Sequence, residues 1–125
     1  MERPQTGQDV TDSLRCREPL FHREPPGSGR DVFEQMMTAD FWEVGASGTV
    51  HPREVVADVV EHRNRDPADE DWTIAEFQCR HLAGSAYLVT YLLDLHGRRS
   101  RRCTLWEQVE GTWRAIYHQG TLVPS

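Results

Sequence analysis

The chain contains no lysine: all fourteen basic side chains among its 125 residues are arginine. Schiff-base chemistry through a lysine amine is therefore excluded, and the arginine-only usage reads mainly as codon bias in a GC-rich genome. Cysteine is scarce. Cys16, Cys79 and Cys103 form no CxxC pair and no even set, and no His or Cys stands at zinc-ligand spacing. Reduced, buried thiols are expected, not a disulfide framework or a metal site. Long apolar runs are also missing. The amino terminus MERPQTGQDVTDS has no apolar core for a secretory signal, and no stretch approaches membrane-spanning length, so a cytoplasmic location without membrane contact is expected. Positive charge is in deficit: a formal net charge of -6 repels polyanions and argues against nucleic acid as a partner.

What is present suits one domain with one hydrophobic core. Residues 1–8 read as a disordered tail, and residues 9–125 as a single domain. A short helix is expected from Asp9 until Pro19. HREPPGSG (22–29) is a loop, with Ser28 and Asp31 capping a second helix whose apolar face is Val32, Phe33, Met36 and Met37. FWEVGASG reads as a lone strand. Pro52 suits the first position of a third helix ending before Asn64, with Val55, Val56, Val59 and Val60 as one buried stripe. The acidic run 66–71 is a solvated linker. From Trp72 onward, four runs rich in Thr, Val, Tyr, Trp and Leu are separated by Ala83-Gly84, His96-Gly97 and Glu110-Gly111, which predicts a four-strand meander joined by two-residue turns.

Two-residue turns set the register by arithmetic: Leu82 opposite Ser85, Leu95 opposite Arg98, and Val109 opposite Thr112. One set of rows is Cys79, Leu88, Leu105, Ile116; then Phe77, Thr90, Cys103, His118; then Ala75, Leu92, Arg101, Gly120. It is apolar at its centre and is assigned to the core. The opposite face, with Tyr87, Tyr91, Arg102, Trp106 and Tyr117, mixes charges with the polar rims of aromatics and is assigned outward, as an oligomer interface. Cys79 and Cys103 then lie on nonadjacent strands about 10 Å apart, too far to bridge.

Three helices, a strand threaded among them and a closing meander, with DFWEVGASG (40–48), RRCTLW (101–106) and WRAIYHQGT (113–121), resemble the nuclear transport factor 2-like superfamily, and within it the SnoaL-like group of small bacterial proteins. The resemblance implies an α+β fold: a cone-shaped, curved antiparallel sheet, made of the meander plus the lone strand, packed against about three amino-terminal helices. It also implies a pocket between the inner sheet face and the helices, pairing of two copies through the outer face, and no cofactor. Enzymes of the superfamily commonly use a pocket carboxylate as base with a hydrogen-bond donor. The inner rows here carry no Asp or Glu, since Glu107 falls in an end row with His81, Ala86 and Arg114.

Six residues are the expected ligand contacts: Trp42, Phe77, Thr90, Arg101, Cys103 and His118. His118 is inward on the register and can act as acid or base near neutral pH; the competing reading is a core histidine bonded to Thr90. Glu43 is the second catalytic candidate. Because Trp42 and Glu43 are neighbours on a strand, only one of them can face the pocket. An inward Glu43 would have its pKa raised by desolvation, as suits a general base. Alternation splits RRSRR (98–102) between two faces, so it is no single phosphate-binding patch. Cys103 beside His118 reads as a buried structural thiol. Three functions stay open: a homodimeric SnoaL-like protein binding an unidentified, partly apolar small molecule; an isomerase- or cyclase-type enzyme using His118 or Glu43, with Thr90 or Trp42 placing the substrate; and a non-catalytic dimeric interaction module.

Overall fold

The structure is a computed structural model that describes residues 7–18, 30–65, 72–95 and 97–124. The expected loop 22–29 with its Ser28 cap, and the acidic linker 66–71, lie outside those residues. The elements are α1 (Gly7–Arg17), α2 (Arg30–Gln35), β1 (Met37–Val44), β2 (Val50–Pro52), α3 (Arg53–Arg65), β3 (Trp72–Ala83), β4 (Ala86–Leu95), β5 (Arg98–Val109) and β6 (Thr112–Leu122). Helix α1 thus begins two residues inside the expected tail. The six strands form one curved sheet in the order β2-β1-β6-β5-β4-β3. The α+β class and the meander are as the sequence predicts. Two features are additional: β2 pairs with β1 as a short edge strand, and β1 runs parallel to β6, which makes the sheet mixed.

The turns explain most of the register. Glu110 and Gly111 both have positive φ, 51° and 78°, the backbone a two-residue type I′ hairpin requires. The β4–β5 hairpin has the expected pairing throughout, from Leu95 opposite Arg98 to Ala86 opposite Glu107. The β5–β6 hairpin begins as expected, with Val109 opposite Thr112, and shifts by one residue after Trp106 and Ala115. Ile116 is the extra residue of a bulge. Beyond it Leu105 faces Tyr117, and His118 faces Thr104 instead of Cys103. In β3–β4 the turn closes one residue later, with Ala83 opposite Ala86, and the register shifts again between Ala75 and Gln78, where Glu76 takes φ 55°.

Burial overturns the assignment of faces on β4 and β5, although their mutual pairing is the expected one. Val89, Tyr91, Leu93, Ser100, Thr104 and Trp106 are buried, so the face expected to point outward is the one that meets the helices. Trp106 is wholly buried. Phe77 and Cys79 do pack on the core, because the shifted β3–β4 pairing turns that strand over relative to β4. His118 is buried too, because the Ile116 bulge inverts the end of β6. Opposite the sheet, Val10 and Leu14 of α1 are buried at a spacing of four, and Val56 and Ala57 of α3 are buried. The α3 stripe is rotated from the expected one: Val55 and Val59 are exposed. The expectation of buried thiols also needs correction. Cys79 and Cys103 are half-buried, Cys16 is exposed, and all three are free.

Gly120 sits beside Arg102, its partner on β5. A Cβ at position 120 would lie 2.6 Å from the Arg102 guanidinium carbon, well inside van der Waals contact. Arg102 also donates from Nε to Ser100 Oγ at 2.9 Å. Gly120→Ala is therefore expected to drive the guanidinium off the sheet and break that bond. Because the clashing atoms end a flexible side chain, the stability loss should be about 1 kcal/mol, at the low end of overpacking costs. Urea denaturation and a structure of the variant would check both parts. An unmoved Arg102 would contradict the expectation.

Candidate functional site

One row of cross-strand partners runs across all six strands on the inner face: Cys79, Val89, Thr104, His118, Glu43 and His51. It exists because the bulge at Ile116 sets His118 opposite Thr104 and the parallel β1 sets Glu43 beside His118. Four of its members are polar or ionisable at the centre or far end of an otherwise apolar face. Thr104 and His118 have no solvent exposure. His118 Nδ1 lies 2.7 Å from Thr104 Oγ1, and His118 Nε2 lies 4.0 Å from Glu43 Oε1.

A second carboxylate comes from above the sheet. Glu18 follows α1 one helical step beyond Leu14, so the Val10, Leu14, Glu18 spacing points all three side chains at the sheet. It is completely buried. Tyr91 Oη and Thr104 Oγ1 each donate to Glu18 Oε1 at 2.8 Å, and Trp106 Nε1 donates to Oε2 at 2.6 Å. Burial pushes the Glu18 carboxyl up from 4.5 to about 7, against the three hydrogen bonds, which favour the ionised form. Tyr91 is pushed well above its usual 10 by burial and by the neighbouring Glu18 charge. The arrangement offers a carboxyl that can hold or release a proton near neutral pH, connected through one hydroxyl to an imidazole, with a second carboxylate beyond it. Among the described residues, no cluster of His, Cys, Asp and Glu is arranged to hold a metal ion.

Solved structures show which architecture carries this row. An uncharacterised protein with a cystatin-like fold from Caulobacter vibrioides is 17% identical, with 94% of this chain and 90% of that chain covered and a TM-score of 0.69. A nuclear transport factor 2-like protein from Cytophaga hutchinsonii is 17% identical, with 94% and 99% covered and a TM-score of 0.68. The fold is nuclear transport factor 2-like. A Parabacteroides distasonis protein named as a candidate ketosteroid isomerase shares the nuclear transport factor 2-like fold at 15% identity, 95% and 89% coverage and a TM-score of 0.65. No family model and no curated protein matches the chain.

Within the nuclear transport factor 2-like sheet, the expected residues separate. His118 and Glu43 come together, and Glu43, not Trp42, is the inward one of the strand pair. Trp42 is 44% exposed and packs on Tyr117 with ring centroids 4.3 Å apart. Thr90, Arg101 and Cys103 are also outward; with Gln78, Tyr91, Arg102 and Gln119 they line a groove of about 440 Å³. Arg101 pairs there with Glu76 at 3.6 Å. Phe77 is on the core side, stacked on Tyr91 at 5.9 Å under the Arg15 guanidinium. Of the five expected interface residues, only Tyr117 points outward. Tyr91 and Trp106 are core residues, Arg102 lies over Gly120, and Tyr87 packs on Trp113 at 5.3 Å. Sequence reasoning missed Glu18 and Thr104, and assigned Tyr91 and Trp106 to an outer interface instead of this buried cluster. The signal for Glu18 was a carboxylate falling on the apolar stripe of α1. No described helix is long and apolar enough to cross a membrane.

Proposed function

We propose that the protein binds a small, partly apolar molecule against the inner face of the sheet, with the line Glu43, His118, Thr104 and Glu18 as the polar end of the site. The observation that carries this reading is the complete burial of Glu18 and His118 within an apolar layer. Burying ionisable groups costs several kcal/mol relative to well-packed apolar residues, and such groups concentrate where a protein uses them. A SnoaL-like binding protein fits this reading.

The second reading is an isomerase- or cyclase-type enzyme, favoured by the 4.0 Å approach of Glu43 to His118 Nε2. In this reading Glu43 takes a ligand proton and His118 is its charge partner.

The test is a nuclear magnetic resonance screen of small carbonyl- and hydroxyl-bearing compounds. Ligands of the inner face are expected to shift the signals of Thr104, His118 and Trp106, and His118→Gln should weaken their binding roughly tenfold, the worth of one buried hydrogen bond. Hits confined to the groove around Thr90 and Cys103 would overturn the assignment. Exchange of a ligand C–H proton for solvent deuterium, lost in Glu43→Gln, would select the enzyme over the binding protein.

A further inference from the structure

One hydroxyl in the row lies in two hydrogen bonds. Thr104 Oγ1 is 2.8 Å from Glu18 Oε1 and 2.7 Å from His118 Nδ1, and a hydroxyl has a single proton to donate. When it donates to an ionised Glu18, His118 must donate Nδ1–H to Thr104. When Glu18 carries the proton and donates to Thr104, the hydroxyl turns and donates to a bare Nδ1. The proton on Glu18 and the proton on Nδ1 are therefore alternatives, exchanged through one side chain. On the other side of the imidazole, the Glu43 side chain is 18% exposed while His118 is wholly enclosed, and Glu43 pairs with His51 on the edge strand β2.

We propose that Thr104 is a proton relay between Glu18 and His118, and that the row out to Glu43 is the route by which the enclosed Glu18 exchanges its proton with solvent or with a ligand. In one passage, Nδ1 of the imidazolium gives its proton to Thr104 Oγ1 as the hydroxyl gives its own to Glu18 Oε1. One N–H bond breaks, one O–H bond forms on Glu18, and Thr104 ends as it began. An ion pair becomes two neutral groups, with Nε2–H retained toward Glu43. The reverse passage restores the imidazolium. Glu18 is then a proton store, and Thr104 and Glu18 are positioning residues for His118.

Burial raises the Glu18 carboxyl to about 7, so it gains and loses its proton around neutral pH. Its titratable and charged neighbours compete little. Tyr91 on β4, Cys79 on β3 and Cys103 on β5 are all pushed upward by burial and keep their protons, while Arg102 on β5 supplies a fixed charge near Tyr91. Glu43 and His51 lie on the outlet side. Use of the relay by a ligand rests on the inner-face site proposed above; the proton coupling does not, and it is measured without any ligand.

The experiment is a pH titration of the His118 ring nitrogens by nuclear magnetic resonance in four proteins: the parent, Glu18→Gln, Thr104→Val and the double variant. In the parent background, Glu18→Gln is expected to lower the proton affinity of His118 about tenfold, the size at which two sites titrate as a coupled pair. In the Thr104→Val background the same change should move it less than about twofold, and Thr104→Ser should restore the coupling. Equal coupling with and without the hydroxyl would mean direct electrostatics and would overturn the relay, as would no effect of Glu18→Gln in the parent. If Thr104→Val does not fold, the parent decides alone: Nδ1 must change from donor to acceptor over the same pH interval in which the Glu18 carboxyl carbon titrates. An Nδ1 signal that stays in one state across that interval sinks the proposal.

Discussion

Glu18→Ala is expected to cost on the order of 3–6 kcal/mol of folding stability, a large share of the stability of a domain this size. The carboxylate takes donors from Tyr91, Thr104 and Trp106, all buried. Removing it takes from the Tyr91 hydroxyl and the Trp106 indole N–H the carboxylate that accepts from both, at about 1–3 kcal/mol each, and leaves a void beside a wholly buried tryptophan. Thr104 escapes part of the penalty because its hydroxyl can turn to His118 Nδ1. Glu18→Gln should cost less, since its carbonyl oxygen still serves one end of the cluster while its amide N–H₂ confronts donors at the other. Urea denaturation gives both values. A Glu18→Ala variant within about 1 kcal/mol of the parent would mean that water or another side chain serves the cluster.

The same group governs how stability responds to pH. Its folded-state value of about 7 lies above the 4.5 of an unburied glutamate. Between these values the folded chain binds a proton that the unfolded chain releases, so the contribution is complete below about pH 4.5, declines as pH rises, and is gone above about 7. Over that window it amounts to about 3 kcal/mol. The direction is opposite to that of a salt-bridged carboxylate, which loses stability as pH falls. The urea midpoint of the parent should therefore drop between pH 5 and pH 8, and Glu18→Gln should flatten that slope. Parallel slopes in the two proteins would show that Glu18 ionises in the folded chain at its ordinary value.

The secondary structure was legible because its causes are local. Gly97 and Gly111 sit at positions of positive φ that glycine tolerates best, and the β-branched and aromatic runs between the turns became the meander. The pairing of β4 with β5 followed from one turn and held to its end. His118 came out inward for a reason the register alone did not contain: the residue count from the turn pointed it to the face of Cys103 and Thr90, and the bulge at Ile116 moved it to the face of Thr104 and Trp106. Glu43 was legible only as one of two neighbours. Its choice over Trp42 depends on β1 lying parallel beside β6, a contact between segments more than seventy residues apart.

The reversal of β4 and β5 has a single chemical origin. Tyr91 and Trp106 have polar atoms, and without a partner those atoms belong in water. The partner is Glu18, brought over the sheet by α1, and no pattern within the strands announces it. Composition, turn chemistry and periodicity by themselves determined the helices, the strands of the meander and the pairing of β4 with β5, because each depends on neighbours along the chain or across one hairpin. The tertiary structure decided which face is interior and which side chains form the site. A carboxylate from a distant helix makes two amphipathic aromatics buriable, and one extra residue in β6 inverts everything beyond it.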